Sequence, residues 1–245
     1  RWVSSVVAVV AALGVVPTGA PQITLPNTET ELTNYNGNAC TDGSDVSLET
    51  AFKLSCNTAF VDLATAKMQD GGDAIKAMAN NFGINSTPDP IPLRVAQSVT
   101  GPLSDGVQTG QSAIGQLDVA MTPLQNAVIA ATLANGGVRM QPYLVDKLQA
   151  ADLRTLQTTP PTTANKPITP EQAAELTSMM IESERSTAGA GGPVSIASKT
   201  GTAESGSSTD TPFSWYIAFG PSSNAQIAVA VVVENGQFGA DSVGG

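Results

Sequence analysis

Three strand-like segments with short connections close the sequence, and they constrain the fold more than any other feature. They read "VSIASKTGTA", "FSWYIAFGP" and "QIAVAVVVENG". Antiparallel strands can be joined by short turns, whereas parallel neighbours need a crossover of about a dozen residues or more. The C-terminal third therefore predicts an antiparallel sheet.

Helical signals dominate the middle of the chain. The sequence Thr-Pro-Leu-Gln at 122–125 supplies an N-cap, a proline at the first helical position and a capping-box glutamine, and Thr-Pro-Glu-Gln at 169–172 repeats the device. Apolar residues recur at helical spacing over 47–68, and a further helix is predicted from Gly72 to Phe82.

The remaining stretches carry weaker signals. Loops are predicted at 17–45, with a short strand at "QITL", and at 84–112. A strand is predicted over 139–148, followed by an exposed Thr/Pro-rich loop at 155–168. Helices followed by an antiparallel sheet indicate an α+β domain.

Composition removes several classes of chemistry. The 245 residues contain no histidine, which excludes a Ser-His-Asp triad and a histidine-based metal site, and we expect no metal and no cofactor. The net charge is −10 without a basic patch, so nucleic acid is not an expected partner. Cys40 and Cys56 are the two cysteines, and the sequence alone leaves free thiols and a disulfide open.

Lys199-Thr200-Gly201 lies on the first C-terminal strand and suits a ligand. The lysine offers a positive charge, the threonine a hydroxyl, and the glycine leaves room for another backbone. These groups fit an extended peptide that ends in a carboxylate and adds to the strand edge. The alternative is the solvated end of a strand.

Ser55-Cys56-Asn57 is a second candidate. The hydroxyl of Ser55 could move a proton while the side-chain amide of Asn57 holds a peptide group. Ser222-Ser223-Asn224 matches the same pattern, but it lies in a polar turn between two strands, where such residues serve turn chemistry.

With both motifs in place, the chain resembles the transpeptidase domain of penicillin-binding proteins, in particular the class B enzymes of actinobacteria. "SLETAFKLSCNTAFVDLA", "SAIGQLDVAMTPLQNAVIAATLANGG" and "IASKTGTAE" carry the resemblance, in the order and at the separations of that family. The resemblance spans roughly residues 5–245 and implies an α+β fold with an antiparallel sheet packed with helices, as in serine β-lactamases and transpeptidases. The whole chain, 1–245, is interpreted as one partial domain.

The resemblance implies a role for each matching residue. Ser55 would shuttle a proton, Asn57 would hold the acyl-side peptide, and Lys199 with Thr200 would bind the terminal carboxylate of the substrate. Thr202 would add a hydroxyl and a backbone N–H for the oxyanion hole, beside Gly201.

The family's first motif, S-x-x-K, does not occur in these 245 residues. Ser4 and Ser5 have valine and alanine three positions later, so no nucleophile is assigned. The apolar run "SSVVAVVAALG" resembles the buried helix that follows the nucleophile, rather than a signal peptide. The chain ends at "SVGG", where a final helix would begin. We therefore expect an incomplete domain, with both the nucleophile and that helix outside the sequence.

The resemblance implies a peptidoglycan D,D-transpeptidase that cross-links stem peptides by serine acyl transfer and that β-lactams acylate. Expected partners are the D-Ala-D-Ala end of the stem peptide, β-lactam antibiotics and cell-wall or division proteins. The alternatives are a non-catalytic peptide- or partner-binding homologue and a serine β-lactamase.

The resemblance also implies a location for the protein. It places the domain on the outer face of the bacterial cytoplasmic membrane, anchored by a segment not in this sequence. That location is oxidising and favours a disulfide between Cys40 and Cys56.

Overall fold

The computed structural model describes residues 15–187, 189–203 and 211–234. The helices are α1 (Leu48–Leu54), α2 (Asn57–Asp62), α3 (Gly71–Asn81), α4 (Gly106–Ala113), α5 (Pro123–Ala134) and α6 (Pro170–Glu184). The strands are β1 (Gln22–Thr24), β2 (Glu31–Thr33), β3 (Arg139–Met140), β4 (Lys147–Gln149), β5 (Thr155–Thr158), β6 (Thr163–Asn165), β7 (Ala197–Ala203), β8 (Phe213–Gly220) and β9 (Ile227–Val233). A π-helical turn, Leu63–Lys67, continues α2, and a 3-10 turn spans Tyr35–Gly37.

The three C-terminal strands form one antiparallel sheet in the order β7-β8-β9, as the sequence predicts. Helix α6 packs against β7, and α5 packs against β8 and β9. Their apolar faces enclose a core that includes the fully buried side chains of Phe52, Phe60, Phe82 and Phe219. Helices packed on an antiparallel sheet confirm the α+β class.

The two Thr-Pro helices begin where the sequence predicts. Thr169 and Gln172 form both hydrogen bonds of a capping box at the start of α6. Thr122 caps α5 by accepting from the Gln125 backbone N–H, but the reciprocal bond expected there is absent. The Gln125 amide instead donates to the Phe82 carbonyl at 2.8 Å, while the Thr122 backbone N–H donates to Ser98 Oγ. Gln125 therefore bonds a residue distant in sequence, Phe82, and not the N-cap beside it.

Three of the predictions about loops and strands were wrong. The loop predicted at 84–112 contains α4, which Asp105 caps by accepting from the Gln108 backbone N–H. The strand predicted over 139–148 is divided into β3 and β4 by the residues around Pro142, which cannot donate to a strand ladder. The loop at 155–168 contains β5 and β6, which pair with β4 and β3.

Two further expectations, a buried helix at the N-terminal apolar run and the missing final helix after "SVGG", concern residues 1–14 and 235–245 and beyond. These lie outside the described residues. Among the helices that the structure describes, none combines the length and the apolar character needed to cross a membrane.

Candidate active site

The segment expected to be one helix over 47–68 is interrupted at Ser55. Ser55 ends α1 with φ 56° and ψ 44°, a left-handed conformation that non-glycine residues seldom adopt. Its backbone N–H still bonds the Phe52 carbonyl at 3.2 Å, and the next N–H, of Cys56, bonds Ala51. Helix α2 then starts at Asn57. The break leaves the Ser55 side chain exposed at the tip of α1.

Lys199 reaches this tip from β7, although 144 positions separate it from Ser55 in sequence. Its ammonium donates to Ser55 Oγ and to the Thr200 carbonyl, the latter at 3.0 Å. It also lies 5.7 Å from the centre of the Phe52 ring. Two of the three residues expected to do the chemistry are therefore in direct contact.

Burial sets the electrostatics of Lys199. The residue is only 3% exposed. Burial disfavours the charged amine and lowers its pKa from 10.5 to about 8. A lysine in this range is still mostly protonated at neutral pH, yet it can give up and recover a proton during a reaction.

Asn57 is hydrogen-bonded to Thr33, the last residue of β2. It is 8% exposed, and its side-chain amide donates to the Thr33 carbonyl at 3.2 Å. Asn34, the residue directly after β2, accepts from both the backbone N–H and the hydroxyl of Thr58 through its Oδ1. Its amide donates to the carbonyls of Ala20 and Asn38, each at 3.1 Å. Asn34 was not predicted from the sequence, because its partners Ala20, Asn38 and Thr58 are brought together by the fold.

A disulfide joins Cys56, between Ser55 and Asn57, to Cys40, with the Cα atoms 5.9 Å apart. Both cysteines are buried. The turn that carries Ser55 and Asn57 is therefore tied to the segment after β2 by one covalent bond as well as by hydrogen bonds.

Thr200, Gly201 and Thr202 follow Lys199 on β7 and are half-buried. They pair with Tyr216, Trp215 and Ser214 of β8. In the sheet formed by the described strands, β7 has a neighbour only on the β8 side, so its outer edge offers backbone donors and acceptors to a ligand.

The second Ser-x-Asn sequence lies apart from this site. Ser222 donates its backbone N–H to the Ser195 carbonyl at 2.7 Å, and the two hydroxyls are 2.8 Å apart. These contacts stabilise the turn between β8 and β9, in agreement with the interpretation as turn chemistry.

Glu184 is a buried acidic residue that was not predicted from the sequence. It is the last residue of α6 and is 7% exposed. A signal was present: Ala173, Leu176 and Met180 mark the buried stripe of α6, and position 184 continues that stripe at a spacing of four. An acidic residue there occupies a core position.

Together these groups form a wall suited to an extended peptide. The free edge of β7 can accept a strand, Lys199 supplies a positive charge, and Ser55 meets Lys199 from the tip of α1. The hydrogen bond that the structure describes for the Asn57 side chain goes to Thr33 of β2. The arrangement can bind a carboxylate-ended peptide and move a proton through Lys199 and Ser55.

Comparisons with known proteins identify the family of this chain. The sequence model for "Penicillin binding protein transpeptidase domain" matches residues 18–245. The chain is 48% identical over 232 residues to the peptidoglycan D,D-transpeptidase PbpA of Mycolicibacterium smegmatis, covering 93% of this chain and 47% of that protein. The corresponding protein of Mycobacterium tuberculosis is 47% identical, with the same coverage. The chain thus spans about half the length of the curated relatives it matches.

Solved structures show the same relationship. The ceftriaxone acyl-enzyme complex of penicillin-binding protein A from M. tuberculosis superimposes with a TM-score of 0.90 at 46% identity, over 96% of this chain and 54% of that one. The crystal structure of PBPA from the same organism gives 0.91 at 45% identity, over 98% and 56%. The chain belongs to the penicillin-binding protein transpeptidase domain family.

Proposed function

We propose that the protein containing this chain is a peptidoglycan D,D-transpeptidase, which cross-links stem peptides by serine acyl transfer and is acylated by β-lactams. The contact between Lys199 and Ser55 beside the free edge of β7 carries the proposal. The relatives named D,D-transpeptidase, and the β-lactam acyl-enzymes among the solved structures, support it.

The substrate would lie along β7. Its main chain would hydrogen-bond to the outer edge of the strand, with its terminal carboxylate near Lys199 and the hydroxyls of Thr200 and Thr202. Gly201 leaves the strand without a side chain at this point, so the peptide can approach closely. Asn57 would hold the acyl-side peptide from across the cleft.

The reaction would proceed through an acyl-enzyme. The serine hydroxyl of the S-x-x-K motif attacks the carbonyl carbon of the penultimate D-alanine and passes its proton to the lysine of that motif, while the Thr202 backbone N–H stabilises the oxyanion that forms. Collapse breaks the peptide bond, and the departing D-alanine amine takes a proton from Ser55; Lys199 reprotonates Ser55, and the proton held by the motif lysine restores Lys199. The amine of a second stem peptide then attacks the ester carbonyl, and the proton that it gives up passes to the serine oxygen as the ester bond breaks, which leaves the cross-link and the free serine.

This chain supplies the binding and proton-transfer groups of that scheme. The S-x-x-K motif that provides the family's nucleophile is not among these residues, so the assay requires the full-length protein. We further propose that the domain works on the outer face of the cytoplasmic membrane, held by an anchor elsewhere in the protein, with cell-wall or division proteins as neighbours.

Acylation by benzylpenicillin tests the proposal. Intact-mass measurement of the full-length protein should show one covalent adduct. Lys199→Ala should abolish the adduct or slow its formation severely, whereas Lys147→Ala, which removes an exposed lysine on β4, should not. Absence of any adduct on the wild-type protein would reject the transpeptidase.

The same experiment separates the alternatives. A wild-type protein that forms no adduct but binds a D-Ala-D-Ala peptide would be the non-catalytic homologue. Rapid turnover of nitrocefin would instead identify a β-lactamase.

A further inference from the structure

A buried carboxylate lies directly behind the strand that carries Lys199. Glu184 Oε2 accepts hydrogen bonds from Ser198 Oγ and from the Tyr216 hydroxyl, the latter at 3.0 Å. Ser198 is on β7 and Tyr216 is on β8. One carboxylate oxygen therefore joins the end of α6 to the two strands nearest the site.

The position of Glu184 is unfavourable for a negative charge. The carboxyl end of a helix repels anions, and burial removes the hydration of the carboxylate. Among the described residues no cation pairs with Glu184: the nearby Arg185 binds Glu182 at 2.7 Å instead. An apolar residue would extend the stripe of Leu176 and Met180 without this cost. Stability alone does not explain an acid here.

The partners of Glu184 are well suited to hold a strand in place. Ser198 is completely buried. Burial raises the pKa of the Tyr216 hydroxyl to about 12, and the neighbouring charge of Glu184 contributes in the same direction. Tyr216 therefore remains a hydrogen-bond donor throughout the physiological range. Hydrogen bonds to an ionised acceptor are stronger than neutral ones and fix geometry more firmly.

Lys199 is the residue next to this anchor. Side chains alternate along a strand, so Ser198 points towards Glu184 while Lys199 points towards Ser55. Because β7 has a neighbour only on the β8 side among the described strands, its position depends on what holds it from behind. The hydrogen bond of Ser198 holds the backbone of β7 in place, and this sets the position from which the Lys199 side chain extends towards Ser55.

We propose that Glu184 is a positioning residue for the transpeptidase site, holding β7 through Ser198 and Tyr216 so that Lys199 meets Ser55. It touches neither substrate nor reacting atoms. The inference rests on the proposed function for its catalytic consequence, but the placement of Lys199 can be measured without catalysis.

The test compares two replacements in the full-length protein. Glu184→Gln keeps an oxygen that can accept from Ser198 and Tyr216, and Glu184→Met removes it while filling the space. Glu182→Met is the matched control, because Glu182 lies on the same turn of α6 and pairs with Arg185. Benzylpenicillin acylation is resolved into the affinity of the initial complex and the rate of covalent bond formation, and thermal unfolding is recorded for every variant.

The acylation rate of Glu184→Met should fall about tenfold to a hundredfold, the loss expected when a reacting group is displaced by about 1 Å. Glu184→Gln should keep most of the wild-type rate, and Glu182→Met all of it. The side-chain nitrogen resonance of Lys199, observed by NMR without ligand, should shift in Glu184→Met alone. A purely structural role would lower the melting temperature without moving this resonance selectively.

Two results would overturn the proposal: wild-type acylation by Glu184→Met, or an unchanged Lys199 resonance in that variant. If the wild-type protein itself forms no adduct while the Lys199 resonance moves as expected, the positioning role stands and the transpeptidase function is rejected.

Discussion

Replacing Lys199 by methionine should stabilise the folded protein near neutral pH while removing its activity. Burial lowers the Lys199 pKa from 10.5 to about 8, so the folded state disfavours the charged amine. At about 1.4 kcal/mol per pH unit, this difference corresponds to a cost of about 3 kcal/mol. Methionine has a similar length and carries no charge, so Lys199→Met removes that cost.

The stability difference between Lys199→Met and the wild type should change with pH in a defined direction. Below pH 8 the folded and unfolded states both carry the proton, and the full cost of burying the charge is present. Between pH 8 and 10.5 the unfolded state binds more protons than the folded state, so wild-type stability rises relative to Lys199→Met. The advantage of the methionine variant should therefore shrink by about 2 kcal/mol between pH 7 and 9.5.

Urea unfolding of both proteins across this pH range checks the prediction. Titrations common to both proteins, including that of Tyr216, cancel in the difference. Lost hydrogen bonds to Ser55 and Thr200 add an offset that does not depend on pH. Lys147→Met, at an exposed site, should show no pH-dependent gap. A gap between wild type and Lys199→Met that stays constant with pH would refute the reasoning.

Three other changes have defined outcomes. Replacing Cys40 and Cys56 by alanine should lower the free energy of unfolding by about 3 kcal/mol, and reductant should destabilise the wild type but leave the variant unchanged. Asn34→Ala leaves the buried Thr58 N–H without its acceptor, so it should cost about 2 kcal/mol and slow acylation. A wild-type acylation rate would argue that Asn34 does not help to position the turn that carries Ser55 and Asn57. Thr169→Ala removes the α6 cap and should cost about 1 kcal/mol by urea unfolding, whereas Thr169→Ser should be nearly neutral.

Local signals predicted the elements whose causes are local. Neighbouring residues determine the Thr-Pro caps of α5 and α6 and the strands β7 to β9. The structure confirms these elements. The break at Ser55 was missed because the apolar spacing of Phe52, Cys56 and Phe60 continues through it. Phe52, Cys56 and Phe60 are all buried in spite of the left-handed residue between them, so their spacing does not reveal the break.

The same distinction between local and tertiary causes applies to the residues of the site. Lys199 and Ser55 could be paired only through the family resemblance, because nothing within the 144 positions between them specifies that the two meet. Asn34 and Glu184 were missed for the same reason, since each acts through partners brought near by tertiary folding. An acidic residue on the buried stripe of α6 was nevertheless visible in the sequence. A polar residue at a core position of a patterned helix is therefore a useful pointer to a site.

The two buried charges explain how one edge strand can be both open and rigid. A strand that binds peptide must leave one edge without a partner, and this removes half of the hydrogen bonds that would hold it. Here β7 is restrained instead by its side chains: Ser198 bonds Glu184 behind it, and Lys199 bonds Ser55 in front. The Lys199 restraint uses a buried charge that costs stability, because burial lowers the pKa of its amine. Replacing Lys199 by an apolar residue should therefore relieve that cost and free the strand, which makes β7 a place where stability and activity oppose each other.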